Sequence, residues 1–158
     1  MRHGAHVTII ALAATLIPSL AAVAESPARI YVYVVPMETH ARSWFPITCD
    51  GTVVARVKRG RFFAINVAPG RHLLSDEKGV PVSVDARSGE DLYVTLGWRV
   101  EVGGPAISVL QVVVPAVGSR DIIDLTYVDA DKVLSQSVPK TDPRPAPHLM
   151  RRGKSDDE

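Results

Sequence analysis

From residue 29 onward, apolar and polar positions alternate with a period of two, broken by Gly, Pro or Asp roughly every 8 to 12 residues. This pattern predicts a succession of short strands. Arg29–Val35 is rich in β-branched and aromatic residues, ends at Pro36, and is expected to be a central strand buried on both faces. Phe45–Cys49 and Thr52–Val57 flank Asp50-Gly51, a pair suited to a two-residue hairpin because both positions tolerate positive φ. Thr52–Val57 is expected to turn Val53, Ala55 and Val57 inward. Lys58-Arg59-Gly60 then turns the chain into Arg61–Val67, and Pro69-Gly70 is expected to form a type II turn. Arg71–Ser75 and Val80–Asp85 read as shorter strands. In Asp91–Val102 the positions Leu92, Val94, Leu96, Trp98, Val100 and Val102 form a core face, with Tyr93 and Thr95 on a wet face and Gly97 marking a bulge or bend. Ala106–Val114 returns as the last strand. Within 120–135 the pattern is ambiguous, with Asp129 placed to cap a short helix.

Strands without a convincing long helix predict an all-β, two-layer antiparallel β-sandwich of about seven to eight strands, because each sheet hides an apolar face only against another sheet. It is expected over residues 25–136. Residues 137–158 read as a disordered tail, with Pro139, Pro143, Pro145 and Pro147 and little apolar surface to offset ordering entropy. Such a tail suits a flexible linker or a docking peptide.

The first 24 residues change the picture. Arg2 precedes an apolar run, Val7 to Leu20, and Ala22-Val23-Ala24 places small residues two apart before Glu25. This describes a secretory signal peptide cleaved after Ala24, giving a periplasmic or secreted protein. An uncleaved anchor is the other reading, since Val7 to Ala24 approaches the length of a bilayer span. Arg2 is the only charged residue of the segment, so the remaining chain carries as many acidic as basic residues, 17 of each. That balance speaks against general nucleic-acid binding, which needs a basic excess to neutralise phosphates. It equally speaks against electrostatic adhesion of the whole body to an anionic membrane.

The series Ala28-Arg29-Ile30-Tyr31-Val32-Tyr33, Asp50-Gly51 before Val53-Val54-Ala55, Arg59-Gly60-Arg61-Phe62-Phe63, Val67-Ala68-Pro69-Gly70-Arg71-His72 and Gly89-Glu90-Asp91-Leu92-Tyr93-Val94 resembles a family of unknown function. That family occurs in bacterial envelope lipoproteins and exported proteins. The resemblance implies a small, prealbumin-like β-sandwich over about Ala28 to Val114, and no catalytic residues. Many relatives carry a lipid on a cysteine directly after the cleavage site. Here the single cysteine, Cys49, lies far beyond Ala24, so a soluble exported form is expected.

No catalytic, metal or cofactor site is expected from spacing. Cys49 reads as a buried strand residue, and no His or Asn is spaced to serve it as a base. His40, His72 and His148 are widely separated and read as surface or rim residues. Asp129 and Asp131 begin like a calcium loop, but Leu134 stands where the glycine is needed. Two features suit binding. Arg56, Lys58, Arg59 and Arg61 cluster at an expected hairpin tip, matching an acidic partner, an anionic glycan or a lipid headgroup. Trp44, with Phe45, ends a polar connection and either caps the core or offers a ring to a ligand. The expectation is a non-enzymatic envelope module that binds another protein, with an anionic glycan or lipid headgroup as the alternative ligand.

Overall fold

The structure is a computed structural model that describes residues 25–36, 43–77, 79–100, 102–104 and 106–144. Residues 1–24, on which the expected signal peptide falls, His40, His148 and residues 145–158 lie outside the described residues. No helix among the described residues is long and apolar enough to cross a membrane.

The architecture is the expected two-layer β-sandwich. Nine strands are described: β1 (Ala28–Val34), β2 (Phe45–Cys49), β3 (Thr52–Val57), β4 (Arg61–Val67), β5 (Gly70–Asp76), β6 (Val82–Ala86), β7 (Asp91–Val100), β8 (Ala106–Val113) and β9 (Thr126–Tyr127). They form one sheet in the order β8-β7-β1-β4-β9 and another in the order β3-β2-β5-β6. Pairing is antiparallel except for β1/β7 and β4/β9, which run parallel. The chain crosses between sheets after β1, β3, β4 and β6. Lys58-Arg59-Gly60 and Pro69-Gly70 are therefore inter-sheet links. Gly60 takes φ +72°, its N–H donates to the Val34 carbonyl, and its own carbonyl accepts from the Thr126 N–H. Pro69-Gly70 is an open bend with Gly70 at φ +139°, rather than a type II turn. Asp50-Gly51 does form the expected tight hairpin, with φ +51° and +79°.

The central strand β1 is buried on both faces, as its composition predicts. Ile30, Val32 and Val34 alternate with Tyr31 and Tyr33, and the two tyrosines belong to a second apolar layer. Tyr31 stacks on Tyr93 at 5.0 Å, and Phe62 meets Tyr127 edge-on at 5.1 Å. This layer is roofed by helix α1 (Pro115–Asp121), by β9 and by the chain that follows. The roof corrects two expectations. Tyr93 is buried rather than wet, because α1 lies on it, and residues 137–144 pack rather than trail. Val138 is buried, the Ser137 carbonyl accepts from the Asn66 N–H, and the Tyr127 hydroxyl donates to the Pro139 carbonyl. Arg144 donates to the carbonyls of Ile122, Ile123 and Leu125, with its guanidinium 4.1 Å from the Phe62 ring centre. The packed domain thus includes residues 137–144.

Three smaller corrections follow from strand geometry. Between β2 and β3, Thr48 pairs with Val53 but Ile47 pairs with Ala55, so Val54 is an extra, bulged residue. The bulge shifts the alternation: Val53 is exposed and Val54 is buried. Val100 and Val102 are exposed because the β7–β8 hairpin runs past the end of the core. Gly97 pairs with Val109 without a shift, so it marks no bulge. A Cβ at Gly97 meets nothing within 4 Å, and its φ is not positive. Gly97→Ala is therefore expected to raise stability by about 0.4–1 kcal/mol through the unfolded chain, read as a higher urea midpoint at unchanged m-value.

Candidate functional site

One end of the sandwich gathers the chain's two tryptophans. β2 begins there with Phe45, preceded by Trp44, and β7 brings Trp98 across from the other sheet. Phe45 and Trp98 meet edge-on with ring centres 5.4 Å apart. All three rings are half-buried and pack on the core, so Trp44 and Phe45 cap it, as one of the two sequence readings holds, and Trp98 sits at its rim.

Cations stand over these rings. Lys58 Nζ lies 4.6 Å from the Trp44 ring centre, and Lys132 Nζ lies 5.2 Å from the same ring. The Arg59 guanidinium lies 4.6 Å from the Trp98 ring centre. Each stack is worth about 0.5–1 kcal/mol at a half-exposed position. Each stack biases its cation toward the ring, and Lys132 Nζ also donates to Asp131 Oδ2 at 2.6 Å.

Beside them opens a cleft of about 430 Å³, lined by Trp44, Phe45, Trp98, Asp76, Glu77 and Ser108 among others. Asp76 is buried and accepts the Gly79 N–H at 2.5 Å, which shapes the β5–β6 connection forming one wall. Glu77 is exposed. The lining thus presents aromatic surface, carboxylates and hydroxyls, and the cations stack on two of its rings without lining it themselves.

Of the residues singled out in the sequence, Trp44, Lys58 and Arg59 come together here. Arg56 is exposed on β3, opposite Pro46, one strand position outside the cluster. Arg61 does not belong. Its Nη1 donates to the Tyr127 carbonyl at 2.9 Å and contacts Asp129 at 3.4 Å, so it pins the roof of the second layer. The cluster divides because the basic turn is an inter-sheet link, which sends successive side chains to different layers. Sequence reasoning missed Lys132. It sits in a single 3-10 turn (Ala130–Lys132) and reaches Trp44 only through tertiary packing. Asp129 holds the N-cap position but makes no side-chain cap bond, its carboxylate facing Arg61 instead.

A second cluster lies at the other end of β2. The Cys49 thiol, the Asp50 carboxylate and the His72 imidazole converge where the β2–β3 turn meets β5. His72 Nδ1 is 2.7 Å from Asp50 Oδ2, its Nε2 is 2.8 Å from the Ala68 carbonyl, and Cys49 Sγ is 3.8 Å from Asp50 Oδ2. Burial, followed by the neighbouring Asp50 charge, pushes the Cys49 thiol up to about 11. The hydrogen bond to His72 holds the Asp50 carboxyl below its usual range. Burial disfavours the His72 imidazolium, but Asp50 and the Ala68 carbonyl outweigh it and raise its pKa. Cys49 is buried, as expected, whereas His72 is engaged through both ring nitrogens rather than idle at the rim.

No family model, curated protein or solved structure matches the chain. The functional reading rests on these residues.

Proposed function

We propose that this protein is an exported, non-enzymatic binding module of the bacterial cell envelope that engages a protein partner at its aromatic end. One observation carries the reading: both tryptophans and Phe45 line one open cleft, and three cations stack on the tryptophans. Trp and Arg are the residue types that dominate binding energy when clustered in a partly desolvated patch. The cleft lining also supports a binding role. Among the described residues that line it there is no histidine, and Asp76 is committed to the Gly79 N–H. Export rests on the N-terminal pattern of Arg2, the apolar run and the Ala22-Val23-Ala24 site.

The test is photo-crosslinking in intact cells, with the probe at the exposed Arg56 beside the cleft and a control probe at the exposed Val112 on β8. The expected result is one discrete protein adduct from position 56, on a chain whose mass places its start at Glu25. Trp44→Ala is expected to weaken the purified pair about 30-fold, the equivalent of a 2 kcal/mol hot spot. Absence of an adduct at position 56, or an affinity unmoved by Trp44→Ala, overturns the reading.

The placement of Lys58 and Lys132 over one ring favours a second reading, an anionic glycan or lipid headgroup stacked at Trp44. Binding of that kind falls steeply with salt.

A further inference from the structure

At the end of β2 remote from the aromatic cleft, three donors of different chemistry converge: the Cys49 thiol, a carboxylate oxygen of Asp50 and a ring nitrogen of His72, all within 4.8 Å of one another. Their placement is fixed by the backbone. The Asp50 N–H donates to the Leu73 carbonyl, and the Leu73 N–H donates back to Asp50 Oδ1 at 2.9 Å. These bonds lock the turn onto β5 and leave the other carboxylate oxygen facing His72. β2 and β5 are the two inner strands of their sheet, so the donors stand on rigid elements.

The geometry that carries the site is the convergence of a thiol, a carboxylate and an imidazole, and the hydrogen bonds of His72 describe how the ring is oriented. A carbonyl only accepts, so the bond to Ala68 requires the hydrogen on Nε2. Nδ1 then faces a carboxylate oxygen at 2.7 Å. Two lone pairs do not approach that closely without a positive centre between them. A proton supplies it in the metal-free protein. A metal ion takes the place of that proton once Nδ1 and Oδ2 move apart, and the outer bonds suit it: a metal-bound histidine characteristically gives its other N–H to a backbone carbonyl, and a ligating carboxylate is itself hydrogen-bonded. Both supporting bonds are already in place here, and a sulfur stands beside them.

We propose that Cys49, Asp50 and His72 form a binding site for a borderline-soft transition-metal ion of the Zn²⁺ type. A tetrahedral zinc with bonds near 2.0–2.3 Å sets its ligand atoms about 3.3–3.6 Å apart. The Cys49–Asp50 separation of 3.8 Å is close to that, and the His72–Asp50 separation of 2.7 Å has to open by roughly 0.6 Å to reach it. The backbone of the turn is held by Leu73, but the Asp50 side chain is 52% exposed, so its carboxylate supplies this movement while the Cys49 and His72 donors, within 4.8 Å of each other, close onto the ion, and the fourth position is left to solvent. The mixed sulfur, nitrogen and oxygen set selects against Ca²⁺ and Mg²⁺, which take oxygen ligands. As the ion enters, the thiol proton and the proton between His72 and Asp50 leave to solvent. Three protein ligands and an open position suit a site that exchanges its ion or completes its shell with a partner's group.

The test uses the purified protein with Zn²⁺ in competition with a chromophoric chelator, and Co²⁺ as a spectroscopic stand-in. The expected result is one ion per chain and a thiolate-to-cobalt charge-transfer band. Cys49→Ser removes the band, and His72→Gln weakens Zn²⁺ binding at least about ten-fold. Asp50→Asn is the variant least able to disturb the fold, since Asn tolerates the positive φ and keeps the bond from Leu73. It too is expected to lose at least about ten-fold in affinity with an unchanged far-UV spectrum. Absence of stoichiometric binding by the parent protein overturns the proposal. So does binding that survives Asp50→Asn at full strength, or a cobalt complex without a sulfur band.

Discussion

Phe62→Ala is expected to cost about 3–5 kcal/mol of folding stability, the range for a large aromatic removed from a packed interior. Phe62 is fully buried, yet it faces away from the opposite sheet, on the side of β4 that carries the second layer. Its ring lies 5.1 Å from Tyr127 and 6.4 Å from Tyr31, and the Arg144 guanidinium covers it at 4.1 Å. Truncation leaves a void that Tyr127 cannot fill. Its hydroxyl is bonded to the Pro139 carbonyl, and the next residue's N–H is bonded to the Phe62 carbonyl. The loss is therefore the transfer term plus most of the cavity term. Urea unfolding measures it as a lower midpoint at unchanged m-value. Trypsin provides a second readout, because loosening the roof opens the chain at Lys140–Thr141, whereas the Arg144–Pro145 bond resists the protease. A loss under about 1 kcal/mol means that the second layer stands outside the cooperative core.

That layer is where the sequence was least legible. Alternation located eight strands to within two residues at either end, since period two is a local property of the chain. The bounds of β2, β3 and β4 match outright. What alternation does not reveal is which faces a later segment will cover. Tyr93 reads as a solvent-facing residue until α1 is laid across it, and residues 137–144 read as tail because their apolar content is low. Val138 and the backbone bonds through Ser137 and Pro139 are enough to dock them. The Val54 bulge is likewise invisible, because an extra residue changes the facing of Val53 without altering composition.

The candidate sites show the same division. Lys58 and Arg59 were found because they are near one another in sequence, and Trp44 because it ends a polar connection; that they meet is a product of the fold. Lys132 and Trp98 reach them only through the fold. Asp50 and His72 are 22 residues apart, and antiparallel pairing of Cys49 with Leu74 brings them together. Isolated histidines and a lone cysteine carry no spacing signal for such a site, because the ligands come from two strands that are not consecutive.

Gly118→Val is expected to destabilise the protein by about 3 kcal/mol, the upper end of the usual cost of overpacking. Helix propensity points the other way. Valine is somewhat better than glycine in a helix interior, by a few tenths of a kcal/mol. Sterics decide the sign. A Cβ on Gly118 falls 2.3 Å from both Cβ and Cγ of Tyr93. Cβ belongs to the rigid base of the side chain, on a central stretch of β7, and the ring is held against Tyr31 in a stack at 5.0 Å. Neither partner can yield, so α1 must lift from the sheet. The contrast with Gly97, on the same strand as Tyr93 but with open space around its Cα, isolates the cause as close approach rather than the loss of a glycine. Urea midpoints of the two variants are expected to move in opposite directions, and lifting of α1 adds exposure of Tyr93, read by its near-UV signal. A Gly118→Val protein as stable as its parent means that α1 does not rest on Tyr93, which removes the roof that corrects the sequence reading of β7.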